Sequence, residues 1–404
     1  MLRPVSGSER WAEHFGELDR VTVHTVARSG ERRAFGEWGS PITSFALGRG
    51  PVSRFELTGP GIRGSSVWLD PAGLAGHHVP LLVGPPDRFG VAATLDSAPE
   101  QAAVVAERYI LTTLGHHEAQ SAEGRLYDLA LLEQSPPFAL PCPGVSCQID
   151  HVVVIGGWIG VFIGPEGARY LDFQTGAQGT VRAPDGASFG DVSGGQLVSG
   201  PEGIRWLVGA TRGAGSHVVL QIAADGKLSF LHLGAPRTRA AASYFASHGL
   251  VIYGGHPEAP GGELLAPGAT TFRALELEPD ATEGATLMRI EHAKLLRLSG
   301  SLEGAPAPTQ VVKLGCATPC PLEPYEHELS LSPLQLLSHE GDTTLARIAV
   351  SDGTGEQVVR LDLTTSPPSW EAVASLERSG TQLLTLPNGQ VARLGGDEHL
   401  EIHF

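Results

Sequence analysis

The chain has 404 residues, 52 of them Gly and 30 Pro, with 18% charged residues and a net charge of −16. Its lysines are confined to Lys227, Lys294 and Lys313, and so acidic a chain lacks the clustered cations that grip a phosphate backbone, which argues against a nucleic-acid partner. No apolar run approaches the roughly 20 residues of a membrane helix, and the Gly- and Pro-rich, charge-poor profile suits many short strands joined by tight turns.

The opening stretch, "MLRPVSGSERWAEHF", has no apolar segment of the length a secretion leader needs. The chain is therefore either cytoplasmic or begins after a removed leader. Residues 1–49 read as an N-terminal segment holding two strand candidates, "RVTVHTVA" at 20–27 and "TSFALGR" at 43–49. From residue 50 onward one pattern recurs: an apolar strand, a small residue, then a polar turn. Its copies are "SVWLDP" at Leu69, "ILTTLGHH" at Gly115, "VVVIGGW" at Gly156, "RWLVGAT" at Gly209, "VIYGGH" at Gly254, "LLRLSGS" at Ser299, "ARIAVSDG" at Val350 and "VARLGGD" at Gly395. A period of about 47 residues is the mark of propeller blades of four strands each. Four short aliphatic segments bounded by Gly, Pro, Asp and Ser can be read in the intervals around 96–140, 239–280 and 334–377. Several are continuous apolar runs, as expected of strands buried on both faces.

The expected fold is all-β: a single β-propeller of four-stranded antiparallel blades over 50–404, with eight blades counted and seven as the alternative. The last copy supplies three strands before Phe404, so an N-terminal strand, at 20–27 or 43–49, is expected to close the ring and remove an exposed edge.

Four cysteines fall in two local pairs, Cys142 with Cys147 in "CPGVSC" and Cys316 with Cys320 in "CATPC". Two short-loop disulfides in an exported protein fit this even count. Free thiols, or one zinc held by all four thiolates, are the alternatives, the latter against the spacing of zinc modules.

The strings "VVVIGGW", "LVIYGGH" and "QVARLGG" resemble the kelch repeat, in which a glycine pair ends the second strand of a blade. Tyr127, Tyr170 and Trp370 fall where kelch-like copies carry aromatics. The resemblance, to degenerate bacterial kelch-like and galactose-oxidase-like propellers, implies glycines that let neighbouring blades approach. The copper-oxidase motif of that group needs two Tyr and two His at the metal, with one Tyr cross-linked to Cys. No Cys here is suitably placed, so no copper or other cofactor is expected.

His116, His117 and His256 follow presumed second strands, and Trp158 is placed at the same turn position as His256. His116, Trp158 and His256 are therefore the candidate ligand-facing residues of the propeller mouth, against the plainer reading of solvated or packed turn residues. "SDGTGE" and "PDGASFGD" read as Asp-Gly turns rather than calcium loops. No spacing singles out a catalytic triad, a phosphate loop or a zinc-protease helix. The expected function is a non-catalytic interaction propeller, exported by a bacterium, that binds a protein or glycan partner through loops on one face. The alternative is an exported hydrolase or lyase acting on glycan or peptide at the central mouth.

Overall fold

The strand Gly249–Tyr253 has every residue buried, and its alternate side chains go to different cores. Leu250 and Ile252 join one apolar cluster with Trp206, Val219 and Ala242, while Val251 and Tyr253 join a second with Leu287, Leu295 and Val312. A strand projects successive residues to opposite faces. A run without polar alternation therefore forms where both faces are covered by neighbouring sheets. That is the physical basis of the continuous apolar runs in the sequence.

The computed structural model describes residues 2–6, 21–38, 52–70, 74, 79–84, 86, 88–116, 121–183, 187–209, 216–246, 248–258, 261–291, 294–298, 301–302, 305–314, 323–324, 332–340, 343–349, 356–362, 369–376, 382–395 and 398–404. They form an all-β protein in which six successive sheets are four-stranded and antiparallel, the blade architecture of a β-propeller, beside one six-stranded, one five-stranded and one two-stranded sheet (Ser301–Leu302 with Ala305–Pro306). Sheets are numbered here in chain order. Sheet I holds six strands within 2–84, sheet II lies at 101–140, and sheets III to VII lie at 151–181, 196–237, 241–275, 286–324 and 332–376. Sheet VIII combines 382–403 with Phe89–Thr94.

Two compact units divide the chain. The first comprises 1–116, 122–140 and 376–404, and the second 117–121 and 141–375.

In the first unit the final sheet is completed by an N-terminal strand, as expected, but by a different one. Phe89–Thr94 pairs antiparallel with His399–His403, with His399 opposite Thr94 and His403 opposite Phe89. The candidate at 20–27 instead contributes Val21–Val26 to sheet I, between Arg32–Trp38 and Arg54–Gly59. The candidate at 43–49 lies outside the described residues. Sheet I thus draws strands from both sides of residue 50. Leu69, expected to end a second strand, forms only an isolated bridge to Ser53. The first strands of sheets VIII and II lie side by side: the Gln382 side chain accepts a hydrogen bond from the Ala102 amide at 2.6 Å and donates to Gln101. The same device recurs in the second unit. Gln196, opening sheet IV, both accepts from the Ala242 amide and donates to its carbonyl at 3.1 Å, joining sheet IV to sheet V.

In the second unit, second strands end against the loop that leads into their own sheet. A Cβ on Gly164 would lie 2.2 Å from the Gln148 carbonyl oxygen, one on Gly209 2.6 Å from that of Asp191, and one on Gly255 2.5 Å from that of Thr238. Gly164, Gly209 and Gly254 are each 45 residues apart. The string "VVVIGGW" is therefore out of phase: His151–Ile155 is the first strand of sheet III, and Ile159–Gly164 is the second. Gly156 and Gly157, both at positive φ (57° and 81°), form the tight turn between them, and a Cβ on Gly156 would meet nothing within 4 Å.

The two glycine pairs therefore predict different costs. Gly254→Ala combines a left-handed φ of 80° with a Cβ 2.7 Å from the Thr282 carbonyl oxygen and should lose upwards of about 2 kcal/mol. Gly156→Ala carries only the backbone penalty, about 1 kcal/mol. Chemical-denaturation midpoints of the two variants check the order; equal losses would contradict the packing role of Gly254.

Candidate functional site

Among the described residues, buried charged residues form two ion pairs inside the second unit. Arg237 ends the last strand of sheet IV, Leu228–Arg237, and is 1% exposed. Its Nε lies 3.1 Å from Glu263 Oε1, and its Nη1 donates to the Gly254 carbonyl at 2.8 Å. Glu263, on the third strand of sheet V, uses its other oxygen to accept from the Gly234 amide at 2.8 Å. A second bridge sits one sheet further on. Arg297, on the second strand of sheet VI, places Nη1 3.3 Å from Asp280 Oδ2, donates to the Thr282 hydroxyl and the Gln310 side chain, and donates to the Pro308 carbonyl at 2.8 Å. Asp280 and Thr282 belong to the connection between sheets V and VI, where the Thr282 amide donates to Asp280 Oδ1 at 2.8 Å.

Gly254 and Gly255 lie between these bridges. The Gly255 amide donates to the Thr282 carbonyl at 2.9 Å, and the Thr238 amide donates to the Gly255 carbonyl at 3.0 Å. One chain of contacts therefore ties the end of sheet IV, the turn of sheet V and the entry to sheet VI. Tyr253 lies fully buried just before this turn; burial, and secondly the negative charge of Asp280, hold its phenol well above the usual tyrosine range.

His256 belongs to the same turn. Its backbone amide donates to the Asp280 carbonyl at 3.1 Å, and its Nδ1 accepts from the Glu258 amide at 3.0 Å. The half-buried ring thus helps to shape its own turn. Trp158 does not share this position. It lies in the connection between the first and second strands of sheet III, whereas His256 follows a second strand, and in an antiparallel meander these two connections leave opposite ends of the sheet. The expected common turn position is corrected accordingly, because the glycines before Trp158 are the hairpin turn itself. His116 ends the second strand of sheet II, Tyr109–His116; its side chain, like His117, lies outside the described residues.

Cys142 and Cys147 are joined by a disulfide with Cα atoms 4.5 Å apart; Cys316 and Cys320 lie outside the described residues. His151, opening the first strand of sheet III, is held below the usual imidazole range by burial, partly opposed by Asp150. Among the described residues no group of three or more His, Cys, Asp or Glu is arranged to hold a metal ion, and no helix is long and apolar enough to cross a membrane.

Sequence reasoning missed Arg237, Glu263, Asp280 and Arg297. For two of them a signal was available, in the single charges embedded in "GGELLAP" and "KLLRLSG".

These sheets define an all-β protein of the β-propeller class. No known family model matches the sequence, and comparison with characterised proteins finds no relative. Solved structures with a similar fold include the extracellular domain of a hybrid two component system from B. thetaiotaomicron (12% identity, 78% of this chain and 39% of that one, TM-score 0.46). Another is oligogalacturonate lyase from Vibrio parahaemolyticus (13%, 78% and 92%, TM-score 0.48). A third is the GH74 enzyme of Niastella koreensis (9%, 87% and 47%, TM-score 0.41). The chain thus spans less than half of the first and third of these and most of the second. Likeness at this level says nothing about activity.

The bridges predict a sharp asymmetry in stability. Glu263→Gln leaves the Arg237 charge buried without a counter-ion and should cost about 3–5 kcal/mol. The double change Arg237→Met with Glu263→Leu should recover most of that loss, because apolar residues of similar volume replace a buried pair at little cost. Denaturant unfolding of the three proteins checks this; a double variant as unstable as the single one would contradict it.

Proposed function

We propose that the chain is an interaction module: an exported bacterial propeller, kelch-like in its repeat, that presents rigid turns to a protein or glycan partner. The observation that carries this reading is the engagement of the ionisable groups that meet in the second unit. Arg237, Glu263, Asp280 and Arg297 are each 8% exposed or less, paired as Arg237 with Glu263 and Arg297 with Asp280, and their remaining hydrogen bonds run to backbone and to the Thr282 and Gln310 side chains. Such bonding fixes the turn at 254–258, and a fixed turn loses little entropy when it binds. The disulfide of Cys142 and Cys147 supports export, since oxidising compartments preserve such bonds.

The number of repeats in this reading is seven. The glycine-ended second strands then run through Gly115, Gly164, Gly209 and Gly254 to Gly395. The segment before residue 89 forms sheet I and adds no copy of the repeat. His256 belongs to the presented turn of sheet V, and Trp158 to the opposite end of sheet III; His116 ends the second strand of sheet II, just ahead of the corresponding turn.

The competing reading, a glycan- or peptide-acting hydrolase or lyase, requires titratable groups that solvent and substrate reach together. One experiment separates the two. The protein is passed over arrays of immobilised glycans and peptides while the eluate is assayed for cleavage products by mass spectrometry. Retention on a ligand class without product is the expected result. Turnover of any retained ligand would overturn the interaction reading.

A further inference from the structure

The loop closed by Cys142 and Cys147 does more than connect strands. Its donors face the exposed Glu166 carboxylate, which accepts hydrogen bonds from the Val145 amide and from Ser146 through both hydroxyl and backbone. Those bonds hold the Glu166 carboxyl below the usual carboxylate range. Glu166 lies in the turn between the second and third strands of sheet III, and the loop clasps that turn from several sides. A Cβ on Gly164 would strike the Gln148 carbonyl oxygen, one on Gly167 would lie 2.8 Å from that of Pro143, and one on Gly144 would strike Glu166 itself.

The geometry of the loop depends on its cross-link. Cys147 is buried at 1% exposure and adopts a left-handed φ of 54°, a conformation unfavourable for a non-glycine residue. Its amide makes only a long bond, 3.3 Å, to the Gly144 carbonyl. Val145 at the tip is 72% exposed, and Cys142 is half-buried. The bond spans a sequence separation of only 5, so it restricts little of the unfolded chain compared with a long-range bridge. Its effect is concentrated where it sits, on the donors that face Glu166.

We propose that the Cys142–Cys147 disulfide is a redox latch: a thiol reductant opens it, the loop releases Glu166, and the turn at 164–167 is freed while the sheets stay folded. In the first step a thiolate of the reductant attacks the sulfur of Cys142, the more accessible partner. The mixed disulfide forms as Cys147 leaves as a thiolate and takes up a proton. A second reductant thiolate then displaces Cys142 as a thiolate, which is also protonated. Two reductant thiols become one disulfide, and the protein gains two electrons and two protons. Because the closed loop binds Glu166, linkage requires the reverse as well: Glu166 favours the closed disulfide.

The test uses the full-length protein in glutathione redox buffers, with alkylation of Cys142 and Cys147 mapped by peptide mass and amide exchange followed over 143–147. Reduction should speed exchange of the Val145 and Ser146 amides at least tenfold and leave the thermal midpoint of the protein within a few degrees. Glu166→Gln should raise the reduced-to-oxidised ratio of this pair about tenfold at fixed buffer poise, the loss of a charge-assisted hydrogen bond. Unfolding on reduction, or failure of the Cys142→Ser/Cys147→Ser variant to fold, would make the bond a structural staple and overturn the latch. Unchanged protection of Val145 and Ser146 after reduction, or an unchanged ratio in Glu166→Gln, would overturn it equally.

Discussion

Everything in the second unit depends on strands that are buried from both sides at once. A second strand such as Gly249–Tyr253 feeds Leu250 and Ile252 to the core shared with sheet IV, and Val251 and Tyr253 to the core shared with sheet VI. Neither core is complete without the neighbouring sheet, so no sheet buries its apolar faces alone. Sheets III and IV share a core in the same way, through Val153, Val161, Leu207 and Leu220. The glycines at second-strand ends follow from this demand. Face-to-face packing brings the strand end against the loop entering its own sheet, and a side chain there would strike a carbonyl.

Polar groups obey the same geometry. Arg237 and Arg297 cannot reach solvent between packed sheets, so each is matched by a carboxylate and by backbone carbonyls. Buried pairs of this kind add little net stability over apolar residues, yet breaking one is costly. Their positions suggest register as their contribution: Arg237 joins the last strand of sheet IV to the turn of sheet V, and Arg297 joins the second strand of sheet VI to the connection that enters it from sheet V. Gln196 and Gln382 do a neutral version of the same work at the first strands, where a side-chain amide bonds to the backbone of the adjacent first strand.

The all-β architecture was legible in the sequence because short aliphatic runs, turn residues and a long period agree. The phase of the repeat was less so. "VVVIGGW" and "VIYGGH" look alike, but Gly156 and Gly157 close a hairpin at positive φ, with open space around Gly156, whereas Gly254 and Gly255 are pressed against Thr282 and Thr238. Two different constraints, positive φ and close approach, select the same residue, so the string alone cannot distinguish them. The closing strand was misplaced for a related reason: "RVTVHTVA" has the stronger β-branched pattern, yet Phe89–Thr94 sits where the chain enters sheet II. Pairing partners far apart in sequence leave no local trace. Arg237 was hidden because its partnership with Glu263 spans two sheets, while Glu166 stands out in no sequence pattern, because its partners Val145 and Ser146 lie in a separate loop.

The direct test of the central claim, that alternate residues of one strand serve two different cores, is paired truncation in Gly249–Tyr253 with residue-resolved hydrogen exchange. Ile252→Ala should weaken protection preferentially in sheet IV, around Val208 and Val219. Val251→Ala should do so in sheet VI, around Leu295 and Val312. If both substitutions loosened the same sheet, or only the strand that carries them, the account of shared cores would be contradicted.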